Sequence, residues 1–360
     1  MAEASRQLPL VDAIKAVAAQ LIVLHHLAWY GPMSDISAGL FPLLGHWQEW
    51  LAEYGRYAVA AFLAVGGFLA AQSFPPGGLP AGKSPLRLIG QRYVRLVGPY
   101  AIALLIVMVC AALARYWMTH DSIGAAPTLG QFVAHLFLLH DLLDYEALSA
   151  GVWYVAIDFQ LYALFVVLLW LAGQSRCRPA SADFLGPLLV TLVALASLFH
   201  FNRDADWDSS ALYFFGVYAL GVGSGWAARG SQPLRYLLLL AVVGVGALLV
   251  EFRERILIAL IVALTLGVAQ LRPTHTGRNL LALFGQSSYA LFLIHFPVCL
   301  VVNAAFQRFL PHTPGWNTLG VLLAWLASNL AALLFYRLVE ARIGARLATW
   351  FNRRSARPAY

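Results

Sequence analysis

His25 and His26 stand side by side in the first long apolar stretch of the chain, and Lys15 precedes His26 by eleven residues. Imidazole changes charge near neutral pH, so a buried one is suited to take a proton from a hydroxyl and return it. A charged group in a membrane helix costs ~2.5–3.5 kcal/mol on insertion scales, and such groups ordinarily face the protein interior and work there. Eleven residues make just over three helical turns, which places Lys15 and His26 on one face, ~16 Å apart. Ala18, Ala19 and Ile22 lie between them, and the small residues admit a neighbouring backbone or a thin substrate arm. Histidines bonded to other helices, with Lys15 snorkelling to the headgroups, would give the same pattern. His25 is turned ~100° away, toward a supporting role or a cavity wall.

Further groups are placed to join them. The apolar segment GVWYVAIDFQLYALF carries Asp158 about six residues inside its start, so ~9 Å deep and level with His26. A carboxylate beside an imidazole sets its tautomer and raises its basicity; an isolated acid capping a neighbouring helix is the alternative. Trp153 and Tyr154 precede Asp158 as cavity-lining candidates. Arg92 and Arg95 share a helical face in KSPLRLIGQRYVRLVGPY, a segment without an acid. They suit bidentate binding of phosphate at a cytoplasmic mouth, and ordinary loop charge would read alike. GQSSYALFLIHFPV adds His295 at mid-membrane depth, with Tyr289 further in. The alternating acids Asp204, Asp206 and Asp208 lie in a short loop with no glycine or distal glutamate to complete a calcium site. Cys110, Cys177 and Cys299 show no ligand spacing. No metal site is expected.

The elements that must position these residues follow from hydropathy. The chain has 360 residues, 61% of them hydrophobic and 11% charged, with mean hydropathy +0.71. Soluble proteins carry about 25% charge. Apolar runs at about 10–30, 49–74, 96–118, 152–173, 184–200, 210–228, 234–250, 255–271, 281–306 and 316–339 predict an all-α polytopic membrane protein with about ten spans. A shorter run, 129–143, is expected at the interface. The first stretch lacks a small-x-small cleavage site and reads as a retained helix. With both termini cytoplasmic, eighteen of the 24 Lys and Arg fall on the inner side and most loop acids on the outer. The expected domains are one transmembrane domain over 1–345 and a short basic cytoplasmic tail over 346–360 that can meet anionic lipid.

Together these segments resemble the acyltransferase-3 family of bacterial integral-membrane acyltransferases. Family members open with a helix bearing an acid, an arginine and, eleven residues after the arginine, a histidine. LVDAIKAVAAQLIVLHH matches with Asp12, Lys15 and His26. FLAVGGFLA resembles a second family segment through Gly67 and Phe68, with Gly66 in place of Ser. Arg92, Arg95, Pro99 and Tyr100 resemble its R-x-x-R and P-x-Y element. WYVAIDFQLY matches at Trp153, Gln160 and Tyr162, with Asp158 at the position of Glu. SSYALFLIHFP matches at Ser288, Tyr289 and His295. The resemblance covers about residues 8–340. Lys15 keeps the charge of the family arginine and loses its bidentate fork, Asp158 is one methylene shorter than Glu, and Ala60 replaces a common acid.

The resemblance implies transfer of an acyl group, acetyl foremost, from cytoplasmic acyl-CoA to a hydroxyl of an extracytoplasmic or lipid-linked carbohydrate, in a bacterial inner membrane. No permanently bound cofactor is implied; acyl-CoA is a co-substrate. In this reading His26 is the base or is itself briefly acylated, Asp158 orients it, and Arg92 and Arg95, with Lys15, hold the donor. Tyr154, Tyr289 and His295 are open choices for the oxyanion donor. The competing class is a proton-coupled transporter using a His/Asp pair, which predicts interrupted helices in repeated positions.

Overall fold

In the computed structural model the described residues are 8–80, 82–174, 179–271 and 280–355, and they contain no strand. Hydrocarbon cannot satisfy backbone N–H and C=O groups, so spanning segments close their hydrogen bonds within helices. The helices are α1 (Pro9–Trp29), α2 (Pro42–Tyr54), α3 (Val59–Ser73), α4 (Pro85–Trp117), α5 (Leu129–Leu136), α6 (Val152–Gln174), α7 (Pro179–Phe199), α8 (Ala211–Ala227), α9 (Pro233–Val250), α10 (Glu254–Leu271), α11 (Ser288–Phe309), α12 (Pro314–Phe335) and α13 (Ala341–Ser355). Short helices Pro32–Ser37 and Leu280–Gln286 accompany them. Among the described residues nine helical stretches are long and apolar enough to cross a membrane, and α8, at 17 residues, is a shorter apolar helix. The chain is an all-α polytopic membrane protein.

Three of the expected spans differ in their bounds. The second begins at Pro42 and is interrupted by a 3-10 turn, Gly55–Ala58. A Cβ on Gly55 would lie 2.7 Å from the Cβ of His25, so the chain there hugs α1 at a distance only glycine permits. The third, α4, has 33 residues, about 50 Å, and outreaches the ~30 Å hydrocarbon layer. Its added N-terminal turns carry Arg87, Arg92 and Arg95. The ninth breaks at Ser287. The run expected at the interface forms α5, only 8 residues, followed by turns. Arg6, Arg176, Cys177, Arg178, Arg272, Arg278 and Arg357 lie outside the described residues.

The chain forms two compact units. The first comprises Met1–Ala18, Tyr57–Gly90 and Ala156–Gln286. Its centre is the crossing of α3 and α8. A Cβ on Gly67 would sit 2.0 Å from the carbonyl oxygen of Tyr218, and one on Gly221 would sit 1.9 Å from that of Ala64. Reciprocal glycines let the backbones touch, which is how helices associate where lipid removes the hydrophobic drive. Phe68, fully buried, packs with Val11, Val65 and Leu266. Gln160 accepts from the Ala211 amide (2.9 Å) and donates to the Ser209 carbonyl (3.3 Å), capping α8. Arg229 donates to the carbonyls of Ala71 (3.2 Å) and Gln72 (2.9 Å), capping α3.

The second unit comprises Ala19–Arg56, Gln91–Val155 and Ser287–Tyr360. In it α11 packs on α12, and polar side chains tie α1 to α12. Gln20 donates to Asn329 (2.6 Å) and accepts from the Trp325 indole (2.8 Å). Asn303 on α11 accepts from the Met33 amide (3.2 Å) and donates to the Cys299 carbonyl (3.1 Å). Gly31, with φ 95, ends α1 in the left-handed conformation that glycine tolerates, and Pro32 follows. A Cβ there would also strike the Asn303 side chain at 2.5 Å. The last turn of α1 is thus held against α11.

Candidate active site

That last turn carries His25 and His26, and the two take different partners. His25 donates from Nδ1 to the carbonyl of Leu51 (3.0 Å) in the last turn of α2, a carbonyl that also accepts from the Gly55 amide capping that helix. His26 Nδ1 lies 2.6 Å from His295 Nε2, across 269 residues of chain. His295 Nδ1 lies 2.9 Å from the carbonyl of Leu291.

Those contacts determine where the protons are. A carbonyl only accepts, so His295 carries its proton on Nδ1 and presents a lone pair at Nε2. His26 Nδ1–H donates into that lone pair. The outer nitrogen of His26, Nε2, is then left unprotonated, as a general base requires. The rings are 5° from parallel with centroids 4.9 Å apart, a separation equal to the N···N distance plus about one ring diameter. They lie end to end in a common plane, which aims the bond along the lone pair. His295 is fully buried and His26 is 8% exposed. Tyr30 (5.5 Å from His26, centroid to centroid) and Phe296 (5.1 Å from Tyr30) flank the pair.

Ala18, Ala19 and Ile22 are buried at 2–3% exposure, so the stripe between Lys15 and His26 faces protein. Lys15 and Arg92 are half-buried, and Arg95 is exposed. Asp158, 4% exposed, belongs to the first unit, where its carboxylate lies 3.6 Å from the point a Gly66 Cβ would occupy. Tyr154 meets Phe292 edge to face at 5.0 Å, and Trp153 meets Tyr154 at 6.4 Å. Tyr289 directs its hydroxyl proton to the carbonyl of Leu96 (3.0 Å). Asp204, Asp206 and Asp208 are exposed, and among the described residues no group of three or more His, Cys, Asp or Glu is placed to hold a metal.

By depth in the sequence His26 pairs with Asp158, and His295 reads as a cavity-lining or structural hydrogen-bonding residue or an oxyanion donor; the structure sets His295 on His26 Nδ1. The available signal was that His295 is itself a mid-membrane imidazole beside Pro297. A second imidazole pair escaped notice altogether. His135 and His140, outside the spans, are fully buried and stacked, with centroids 4.1 Å apart and planes 15° apart. His135 donates to the Gln131 carbonyl (2.8 Å) and accepts from the Leu148 amide (3.1 Å), fastening α5 to the segment before α6. Burial pushes both down to about 4, so both are neutral at pH 7 and the 3.5 Å contact of His140 with Asp141 joins a neutral ring to a carboxylate.

Fold and site define a polytopic membrane protein with a hydrogen-bonded imidazole pair buried at the end of its first helix. The acyltransferase domain family matches residues 9–337, nearly the whole chain, and the protein belongs to this acyltransferase-3 family of membrane acyltransferases. Comparison with curated proteins and with solved structures found no match.

Proposed function

We propose that the protein is a membrane O-acyltransferase that moves an acyl group, acetyl foremost, from cytoplasmic acyl-CoA to a hydroxyl of an extracytoplasmic or lipid-linked carbohydrate. The observation that carries the reading is the 2.6 Å contact of His26 Nδ1 with His295 Nε2, whose own Nδ1 meets the Leu291 carbonyl, an arrangement that supports a bare Nε2 on His26. Nε2 takes the acceptor hydroxyl proton as the oxygen attacks the thioester carbon. The tetrahedral intermediate then expels CoA thiolate, which recovers the proton from His26. During that interval the imidazolium is steadied through Nδ1–H by His295, whose own Nδ1–H is held by Leu291. Asp158, at the position of the family's Glu, is assigned as the carboxylate that favours the charged form. Arg92 and Arg95, with Lys15, are assigned to the CoA phosphates. Membership of the family supports this class of reaction.

Purified protein in lipid nanodiscs, given labelled acetyl-CoA and bacterial membrane glycans, should transfer label to glycan. His26→Ala should lose at least ~10²-fold of that transfer, the lower range for a general base, while remaining folded in the membrane. Normal transfer by that variant would end the assignment. Solute flux into vesicles without any acyl donor would favour the transporter alternative.

A further inference from the structure

Tyr100, Leu104, Val107 and Ala111 recur at helical spacing along one face of α4 and line two adjoining cavities. The larger, about 220 Å³, is bordered by Arg115 and by the exposed acids Asp121 and Glu146. Tyr30 and Phe296 form part of its wall. The smaller, about 10 Å³, shares Val107, Ser149 and Ala150 with the larger and reaches Tyr100 and Phe292. Both run beside the imidazole pair: Tyr30 lies 5.5 Å from His26 and Phe292 lies 6.3 Å from His295, ring to ring. Tyr100 is fully buried, and its hydroxyl has no hydrogen-bond partner among the described residues.

A buried hydroxyl without a partner destabilises the fold that holds it, and Phe would fill the same space without that cost. Tyr100 lines the smaller cavity, so a ligand head group that widens it is a partner for this hydroxyl. The cavity's chemistry describes that entrant. A guanidinium and two carboxylates at the rim suit a head with many hydroxyls. The flat rings of Tyr30 and Phe296 suit the C–H faces of a sugar. Leu105 and Val109, next along α4 to the lining residues Leu104 and Met108, are 51% and 70% exposed, so the helix that walls the cavity presents its adjacent face to lipid tails.

We propose that these cavities form the acceptor site and bind an amphiphilic glycoside, with the Tyr100 hydroxyl donating to an oxygen of its head group. The word acceptor rests on the acyl-transfer reading; the binding does not, and is tested without acyl donor.

The probe is decyl glucoside carrying a diazirine on the sugar, applied to protein in nanodiscs. Mass spectrometry should locate label on the lining residues, at Tyr30 or within 100–115, 121–131, 146–152 and 292–300, competed away by excess decyl glucoside. Tyr100→Phe should weaken that competition about 2–10-fold, the worth of one hydrogen bond, and should raise the melting temperature. Label elsewhere overturns the site. Equal labelling by a decyl diazirine without sugar shows an unspecific apolar groove and overturns it too. Equal labelling by a diazirine glucose without a tail overturns the amphiphile and points to a soluble glycan. A lower melting temperature in Tyr100→Phe reveals a structural partner, and unchanged competition reveals a trapped water; each sinks the role of Tyr100. Labelling should survive His26→Ala, so failure of the base assignment and failure of the site are read apart.

Discussion

A histidine acts as a base only when one particular nitrogen is bare, and the role proposed for His26 rests on the contact of its Nδ1 with His295. Its effect is separable from packing. His295→Ala removes the acceptor for His26 Nδ1–H and opens a void, and should lower transfer on the order of 10²-fold, within the range general-base catalysis supplies. His295→Gln offers an amide oxygen to the same proton and should recover part of that loss. Transfer rates of the two variants at matched expression check the point: equal loss in both would reduce His295 to a packing residue. His25, although adjacent in sequence, bonds a helix-end carbonyl. Neighbours on a helix point ~100° apart, so one of two identical side chains faces His295 and the other a neighbouring turn.

At the scale of elements, glycine and buried imidazole hold the helices in place. Gly221→Ala would drive a Cβ to 1.9 Å from the Ala64 oxygen, so α3 and α8 must separate. Overpacking of this kind costs typically 1–3 kcal/mol. Gly246→Ala, where a Cβ meets nothing within 4 Å, should gain up to about 1 kcal/mol from helix propensity. Thermal denaturation of both variants in one detergent checks the contrast. The stacked pair His135 and His140 links α5 to pH. Both are held neutral down to about 4, against 6.5 in the unfolded chain. Protons therefore bind the unfolded state preferentially between those values. Stability is complete above about 6.5 and declines as pH falls toward 4, by up to ~1.4 kcal/mol per pH unit for each histidine. Melting temperatures from pH 7.5 to 4.5 should fall, and fall less steeply in a His135→Gln/His140→Gln variant; parallel curves would refute the account.

For the whole molecule, orientation decides which substrate meets which end of α1. The basic turns at Arg87, Arg92 and Arg95 should face the cytoplasm, and the loop at Asp204, Asp206 and Asp208 the far side. Single cysteines introduced at Lys83 and Asp206 in a cysteine-free background should react with an impermeant maleimide on opposite faces of sealed membranes. Opposite faces in the exchanged sense would invert the donor and acceptor assignments, and reaction on the same face would refute the number of crossings between the two positions. Much of this architecture was legible beforehand. Each of the ten apolar runs is helical over most of its length, because extended or irregular backbone is not tolerated against hydrocarbon. Interruptions at Gly55–Ala58 and Ser287 escaped, since hydropathy registers transfer to lipid and is blind to a local change of helix geometry.

Local pattern was enough to identify the membrane class, the helical periodicity, the inward stripe from Lys15 to His26 and the family, because each depends on spacing within a single segment. It could not choose the partner of His26, which comes from 269 residues away. Nor could it distinguish the unpartnered hydroxyl of Tyr100 from the bonded one of Tyr289. Those outcomes depend on how closely helices approach and on which carbonyl or ring lies opposite, quantities that exist only once the chain has packed.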